Sequence, residues 1–197
     1  MQVGLFFGSF NPIHIGHLAI ANYMVEFTEI EQLWFVISPH NPLKEKKSLL
    51  DNYQRYEMVC RAIEHFPNMQ ASTIEFSLPQ PSYTIHALAH LEEKYPQHTF
   101  SLIMGADNVV HLHAWKHSEH ILENYHIYVY NRPEISQTHI PETYKNHTHI
   151  HFVDAPLMEI SSSFIRRGIA EKKNIRAFMP DAAWQYLDEM NFYKNLQ

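Results

Sequence analysis

The decapeptide GSFNPIHIGH, Gly8 to His17, follows the apolar run VGLFF (residues 3–7) and opens a segment of helical period from Ile15 to Phe27. A strand that turns at once into a helix needs a sharp bend, and Gly8 is expected to supply it without a Cβ penalty while Pro12 stiffens the turn. His14 and His17 stand three residues apart with Gly16 between them, so both imidazoles reach one side and the backbone there stays open to a ligand. Together with the free N–H groups of a helix N-terminus they present donors to a chain of phosphates. Two such histidines alone also fit plain surface or core positions. The glycines, Pro12 and the strand-to-helix placement favour the phosphate reading.

Outward from this stretch, short apolar runs alternate with helical segments. After VGLFF and Ile15–Phe27 come LWFVI and Tyr53–Phe66, QASTIEF and Tyr83–Tyr95, FSLIM and a helix from Ala106 onward, HIYVY, and HIHFVDA before Ser161 onward. This rhythm predicts an α/β fold, a Rossmann-like doubly wound parallel sheet with a small C-terminal helical portion. Leu18, Ala21 and Val25 are expected to form the apolar stripe of the first helix, and Ala183, Leu187 and Met190 that of the last, with Pro180 in its first turn. No repeat, low-complexity tract or Gly/Ser linker interrupts the chain, so residues 1–197 read as a single domain. In open α/β sheets ligands bind in the crevice at the carboxyl ends of the strands, where GSFNPIHIGH falls.

A net charge of −6 argues against a non-specific nucleic-acid binder. Eight of the 15 basic residues nevertheless occupy two short stretches, Lys44 with Lys46 and Lys47, and Arg166 to Arg176. That is a pattern for local anion capture, where two solvated loops would be the plainer alternative. No run reaches the roughly 18 apolar residues of a membrane span. The N-terminus lacks the basic region and small-residue cleavage site of a signal peptide. One cysteine, Cys60, excludes an intramolecular disulfide framework, and the expected compartment is the reducing cytoplasm. Homo-oligomerisation is left open.

The second informative stretch is MEISSSFIRRGI, Met158 to Ile169. Three serines before a helical pattern supply an N-cap, and with Arg166 one turn on they would close on a polyphosphate from the side opposite His14 and His17. HIGH, His14 to His17, is also the ATP-holding signature of class I aminoacyl-tRNA synthetases, but 197 residues leave no room for an anticodon-reading part, and no KMSKS-like loop is present.

With both motifs in view, the sequence resembles the bacterial nicotinate-mononucleotide adenylyltransferases, within the wider group of HxGH nucleotidyltransferases. GSFNPIHIGH resembles that family's first motif and ISSSFIRRGI its ISSTxIR motif, while PSYTIHAL, IMGADNVVHLHAW, YNRP and MPDAAWQYLDEMNFY follow in family order. The resemblance implies that His14, His17, Lys44 and Arg166 act on the ATP phosphates. It assigns Gly8, Ser9, Phe10, Asn11 and Gly16, then Gly105 and Asp107, then Ser162 and Ser163, to the nucleotide site. It assigns Tyr83, Thr84, Trp115 and Arg132 to the pyridine-nucleotide pocket, with Trp115 stacking on the ring. Magnesium is implied alongside ATP, with no protein metal site. Ser163 stands where the family usually has threonine, and Asn11 where many of the wider group have aspartate.

The implied reaction is attack by the 5'-phosphate of nicotinate mononucleotide on the α-phosphorus of ATP. A phosphate monoester is mostly dianionic at neutral pH and needs no general base, which suits motifs built of donors and cations. Two alternatives stay open: a related transferase with another acceptor, such as nicotinamide mononucleotide or phosphopantetheine, and a non-catalytic nucleotide sensor. The histidines of HLHAWKHSEH and HTHIH come without cysteine pairs or an HExxH pattern and read as surface residues. Trp34 and Phe35 read as core, and Cys60 as a structural thiol.

Overall fold

A parallel sheet in the order β3-β2-β1-β4-β5-β6 organises the chain. The computed structural model describes residues 1–39, 49–133 and 140–194. Its strands are β1 (Gln2–Gly8), β2 (Gln32–Ile37), β3 (Met69–Ser72), β4 (Thr99–Gly105), β5 (Ile127–Tyr130) and β6 (Ile150–Val153). Among them run helices α1 (Ile15–Phe27), α2 (Asn52–Ile63), α3 (Thr84–Lys94), α4 (Ala106–Val109), α5 (Ser118–Asn124), α6 (Glu142–Lys145), α7 (Ser162–Ala170) and α8 (Asp181–Glu189). The strand order reverses between β1 and β4, so the ligand crevice of this topology opens where those two strands end, at Gly8 and Gly105.

β1 is central and has partners on both edges, which explains its unbroken apolar run. On one face Phe6, Phe35, Met24, Met58, Ile165 and Leu187 form a core shared by α1, α2, α7 and α8. On the other, Val3, Leu5, Trp34, Leu88, Leu102 and Ile121 pack beneath α3 and α5. Helices therefore cover both faces, and Trp34 and Phe35 are core residues, as expected.

Several sequence expectations are corrected. QASTIEF is a strand only to Ser72, because its ladder ends with Ser72 opposite Val36; Ile74–Ser77 continue as a 3-10 turn. The helix expected from Ala106 onward breaks into α4, a 3-10 turn at Leu112–Ala114, and α5, with His117 in the left-handed region at φ 55°. In α1 the buried residues are Gly16, Ile20, Ala21 and Met24, whereas Leu18 and Val25 are only half-buried. That helix is apolar nearly all round, so sequence spacing offers competing stripes. Met190 lies past the end of α8 and is 49% exposed, while Ala183 and Leu187 are buried. Pro180 sits at the N-cap rather than inside the first turn.

Candidate active site

The turn after β1 is made differently from expectation. No glycine has a positive φ; the left-handed residue is Phe10, at φ 43°. Gly8 serves by its size instead, since a Cβ there would lie 2.8 Å from the Phe10 ring. That ring is buried and meets the His17 ring edge-on at 5.1 Å and Phe35 at 5.3 Å, so Phe10 packs the base of the site. Asn11 follows, joined to Pro12 by a cis peptide.

His14 caps α1, and its main-chain N–H donates to His17 Nδ1 at 3.2 Å. A ring nitrogen that accepts carries no proton, so neutral His17 bears its proton on Nε2 and keeps a donor for a ligand. The two imidazoles are stacked with centroids 3.6 Å apart. Gly16 permits this arrangement, because a Cβ there would stand 3.0 Å from His14 Nδ1. Burial, and then the charge of Arg132, lowers the His14 pKa from 6.5 to about 3. Burial, His14 and Arg132 likewise hold His17 well below its usual value. Both rings are neutral at physiological pH.

The sign of this shift gives a test. Between pH 6.5 and about 3 the unfolded chain takes up a proton at His14 that the folded chain does not. Stability therefore falls as pH drops through that window, with a slope approaching about 1.4 kcal/mol per pH unit for each such histidine. Thermal unfolding of the ligand-free protein from pH 7 to pH 5 is expected to show a falling Tm, with a shallower slope in His14→Gln. Equal slopes would contradict the assignment.

The second motif closes on the first. Ser161 caps α7 by accepting the N–H of Phe164 at 3.2 Å. Ser162 Oγ donates to the carbonyl of Pro12 at 2.8 Å, and Arg166 donates to the carbonyl of Asn11 at 2.7 Å and to Ser163 Oγ at 3.2 Å. Gly8 to His17 and Ser162 to Arg166, some 150 residues apart in sequence, thus form one wall. From β4 and β5 come Gly105, Asp107 and Arg132. Arg132 Nε lies 3.5 Å from an Asp107 oxygen, and its guanidinium sits 5.1 Å from the centre of the Tyr130 ring. Arg132 lies close enough to His14 and His17 for its charge to act on both imidazoles. Among the described residues, His14 Nδ1 is one of four buried side-chain atoms without a hydrogen-bond partner, and Arg132 Nε, another of them, faces Asp107 as an ion pair.

Tyr83 is the N-cap of α3, with Thr84 its first residue, and Trp115 ends the 3-10 turn after β4. Lys116 ties these segments together, lying 4.7 Å over the Tyr83 ring and 3.4 Å from His86 Nε2. Lys44, Lys46 and Lys47 lie outside the described residues. Among the described residues no group of three or more His, Cys, Asp or Glu side chains is arranged to hold a metal. In the HTHIH segment His149 Nδ1 is instead 2.8 Å from the Leu122 carbonyl, and His151 Nε2 is 2.8 Å from His126 Nδ1. Among the described residues no helix is long and apolar enough to cross a membrane.

Sequence reading missed three residues. Arg55, 0% exposed, donates to the carbonyls of Ser9 at 2.6 Å, Ser38 at 2.8 Å and Leu50 at 3.1 Å, and to Asn52 Oδ1 at 2.6 Å. Its signal was present: it shares the buried stripe of α2 with Met58, Val59 and Ala62, where a cation is anomalous. Glu75 is buried with its pKa raised by burial, opposed by the hydroxyls of Ser38 and Ser82. Tyr193, near the C-terminus, donates to Asn11 Oδ1 at 2.6 Å and had no signal beyond its place in a matching stretch.

Comparison with known proteins defines the family. A family model described as cytidylyltransferase-like matches residues 5–168, which gives the broad class. A Flavobacterium johnsoniae protein named "Probable nicotinate-nucleotide adenylyltransferase" is 55% identical over 194 residues, covering 98% of this chain and all of that protein. A Bacteroides thetaiotaomicron protein of the same name is 42% identical over 96% of this chain and 92% of its own length. The structure of Plasmodium falciparum nicotinic acid mononucleotide adenylyltransferase complexed with NaAD shares the fold, with a TM-score of 0.81 at 20% identity, over 100% of this chain and 99% of that one. The chain belongs to the nicotinate-nucleotide adenylyltransferase family.

Proposed function

We infer that this chain transfers the adenylyl group of ATP to nicotinate mononucleotide, giving deamido-NAD and pyrophosphate in NAD synthesis. The observation that carries the reading is the wall on which both phosphate-binding motifs meet, Arg166 on the Asn11 carbonyl and Ser162 on that of Pro12. Residues 1–197 act in it as one nucleotidyltransferase domain, supported by the single sheet.

His17 Nε2–H and His14 meet the α- and β-phosphates as neutral donors. Arg166 and Arg132 bring the positive charge, and Ser162, Ser163 and Lys44 serve the distal phosphates. The 5'-phosphate of the acceptor attacks the α-phosphorus as a dianion, the bond to the β-phosphate oxygen breaks, and pyrophosphate leaves with the electron pair. No proton has to be removed from the nucleophile. The rate gain then comes from alignment and from donors aimed at charge that grows on the α-phosphate and pyrophosphate oxygens.

Neutral imidazoles, hydroxyls and guanidinium groups fit an ATP that arrives with magnesium, which would supply charge neutralisation at the phosphates; among the described residues no cluster of carboxylates is arranged to hold the ion itself. Asp107, beside Arg132 and just past the end of β4, is a carboxylate on the side of this chemistry. The acceptor occupies the side of Tyr83, Thr84 and Trp115, and Lys116 over Tyr83 favours an acid on the pyridine ring. The assigned compartment is the cytoplasm.

Pyrophosphate release with ATP and magnesium tests the acceptor. Nicotinate mononucleotide is expected to exceed nicotinamide mononucleotide by tenfold or more in kcat/KM. Equal rates would make the enzyme indifferent to the acid, and release with phosphopantetheine alone would replace the assignment.

A further inference from the structure

Phe10 holds a left-handed backbone at φ 43°, a conformation that is unfavourable for a non-glycine residue and persists only where neighbours over-determine it. The neighbours here are specific. The carbonyl before it, of Ser9, is held by the buried Arg55; the carbonyl after it, of Asn11, is held by Arg166. The Asn11 side chain is gripped as well, its Oδ1 accepting from the Leu50 N–H at 3.2 Å and from the Tyr193 hydroxyl at 2.6 Å. Tyr193 reaches this point from beyond α8, itself in the left-handed region at φ 63°. Its hydroxyl is pushed well above its usual pKa, chiefly by burial, and so stays a proton donor throughout the working pH range.

We propose that Tyr193 is a positioning residue for the ATP site: through Asn11 it fixes the Phe10 turn, and with it the placement of His14 and His17, so that the C-terminal segment completes the nucleotide pocket without touching the nucleotide. Asn11 then stands where an aspartate would leave a second carboxylate oxygen and a charge to be neutralised. An amide oxygen accepts the tyrosine O–H and the Leu50 N–H as a neutral partner.

The proposal rests on the adenylyl-transfer reading and has its own test. Dissociation constants for α,β-methylene ATP and for nicotinate mononucleotide are measured in the wild type, in Tyr193→Phe and in Tyr186→Phe. Tyr186 packs on Arg61 and Phe192 in the same C-terminal region and takes no part in the network. Tyr193→Phe is expected to weaken the ATP analogue about tenfold, with nicotinate mononucleotide within twofold of wild type and the fold retained by circular dichroism; Tyr186→Phe is expected to change neither. The double variant Asn11→Ala/Tyr193→Phe is expected to lose no more than Asn11→Ala alone, since the two side chains act as one unit. Unchanged ATP-analogue binding in Tyr193→Phe, equal weakening of both ligands, or additive losses in the double variant would overturn the proposal. If the wild type bound neither nucleotide, the failure would lie in the adenylyl-transfer reading instead.

Discussion

His17→Ala is expected to lower kcat about a hundredfold or more, the effect of removing one preorganised donor worth roughly 3 kcal/mol in the transition state. The loss should fall on kcat more than on KM for ATP, because a donor aimed at developing charge gains strength as that charge grows. The geometry is specific on this point. His17 Nδ1 is occupied by the His14 N–H, its ring is fixed against Phe10 and stacked on His14, and its remaining N–H is left for the ligand. Burial keeps the ring neutral, so it is poised to donate rather than to remove a proton from the acceptor. Steady-state kinetics of the variant, with its fold checked by thermal unfolding, measures this. Wild-type turnover would show that His17 does not meet the reacting phosphates.

Arg55→Met carries the largest expected loss of stability, about 3 kcal/mol or more, since each acceptor left without its donor costs about 1–3 kcal/mol to the extent that it is buried. Three carbonyls and one side-chain oxygen, all on half-buried residues, would lose their donor together. The burial of Arg55 lowers its pKa, and Asp51 and Tyr193 oppose that shift; among the described residues no carboxylate forms an ion pair with it. Its charge is satisfied by carbonyl dipoles from the ends of β1 and β2 and from the approach to α2. Equilibrium denaturation should register the loss, with Tm falling by about 10 °C. A loss below 1 kcal/mol would mean that the freed carbonyls find other partners.

The parts of this molecule that sequence could reveal are those in which local chemistry and global placement agree. Gly8 to His17 and Ser161 to Arg166 carry their meaning in adjacent residues: a strand end, a cap, a helix start and a set of phosphate donors. The parallel sheet followed from its inner strands, such as β2 and β5, whose apolar runs are almost wholly buried. What escaped depends on pairing across long separations. Tyr193 and Asn11 are 182 residues apart, and neither residue alone announces the other. Arg55 was visible as a cation on a buried stripe, but its acceptors are main-chain carbonyls, which no side-chain pattern encodes. The sharp bend after β1 was expected at Gly8, which turns without a Cβ penalty, whereas the left-handed residue is Phe10, with the carbonyls of Ser9 and Asn11 on either side held by Arg55 and Arg166. β3 ended early for a related reason: its pairing with β2 stops at Ser72 opposite Val36 although β2 runs on to Ile37, and nothing within QASTIEF marks that point.

The most direct test of adenylyl transfer follows the α-phosphorus itself. ATP labelled at the α-phosphate is mixed with the purified protein, magnesium and nicotinate mononucleotide, and the products are separated. The label is expected to appear in deamido-NAD in step with unlabelled pyrophosphate, and to remain in ATP when the acceptor is omitted. Label recovered as AMP, or left in ATP with the acceptor present, would contradict it.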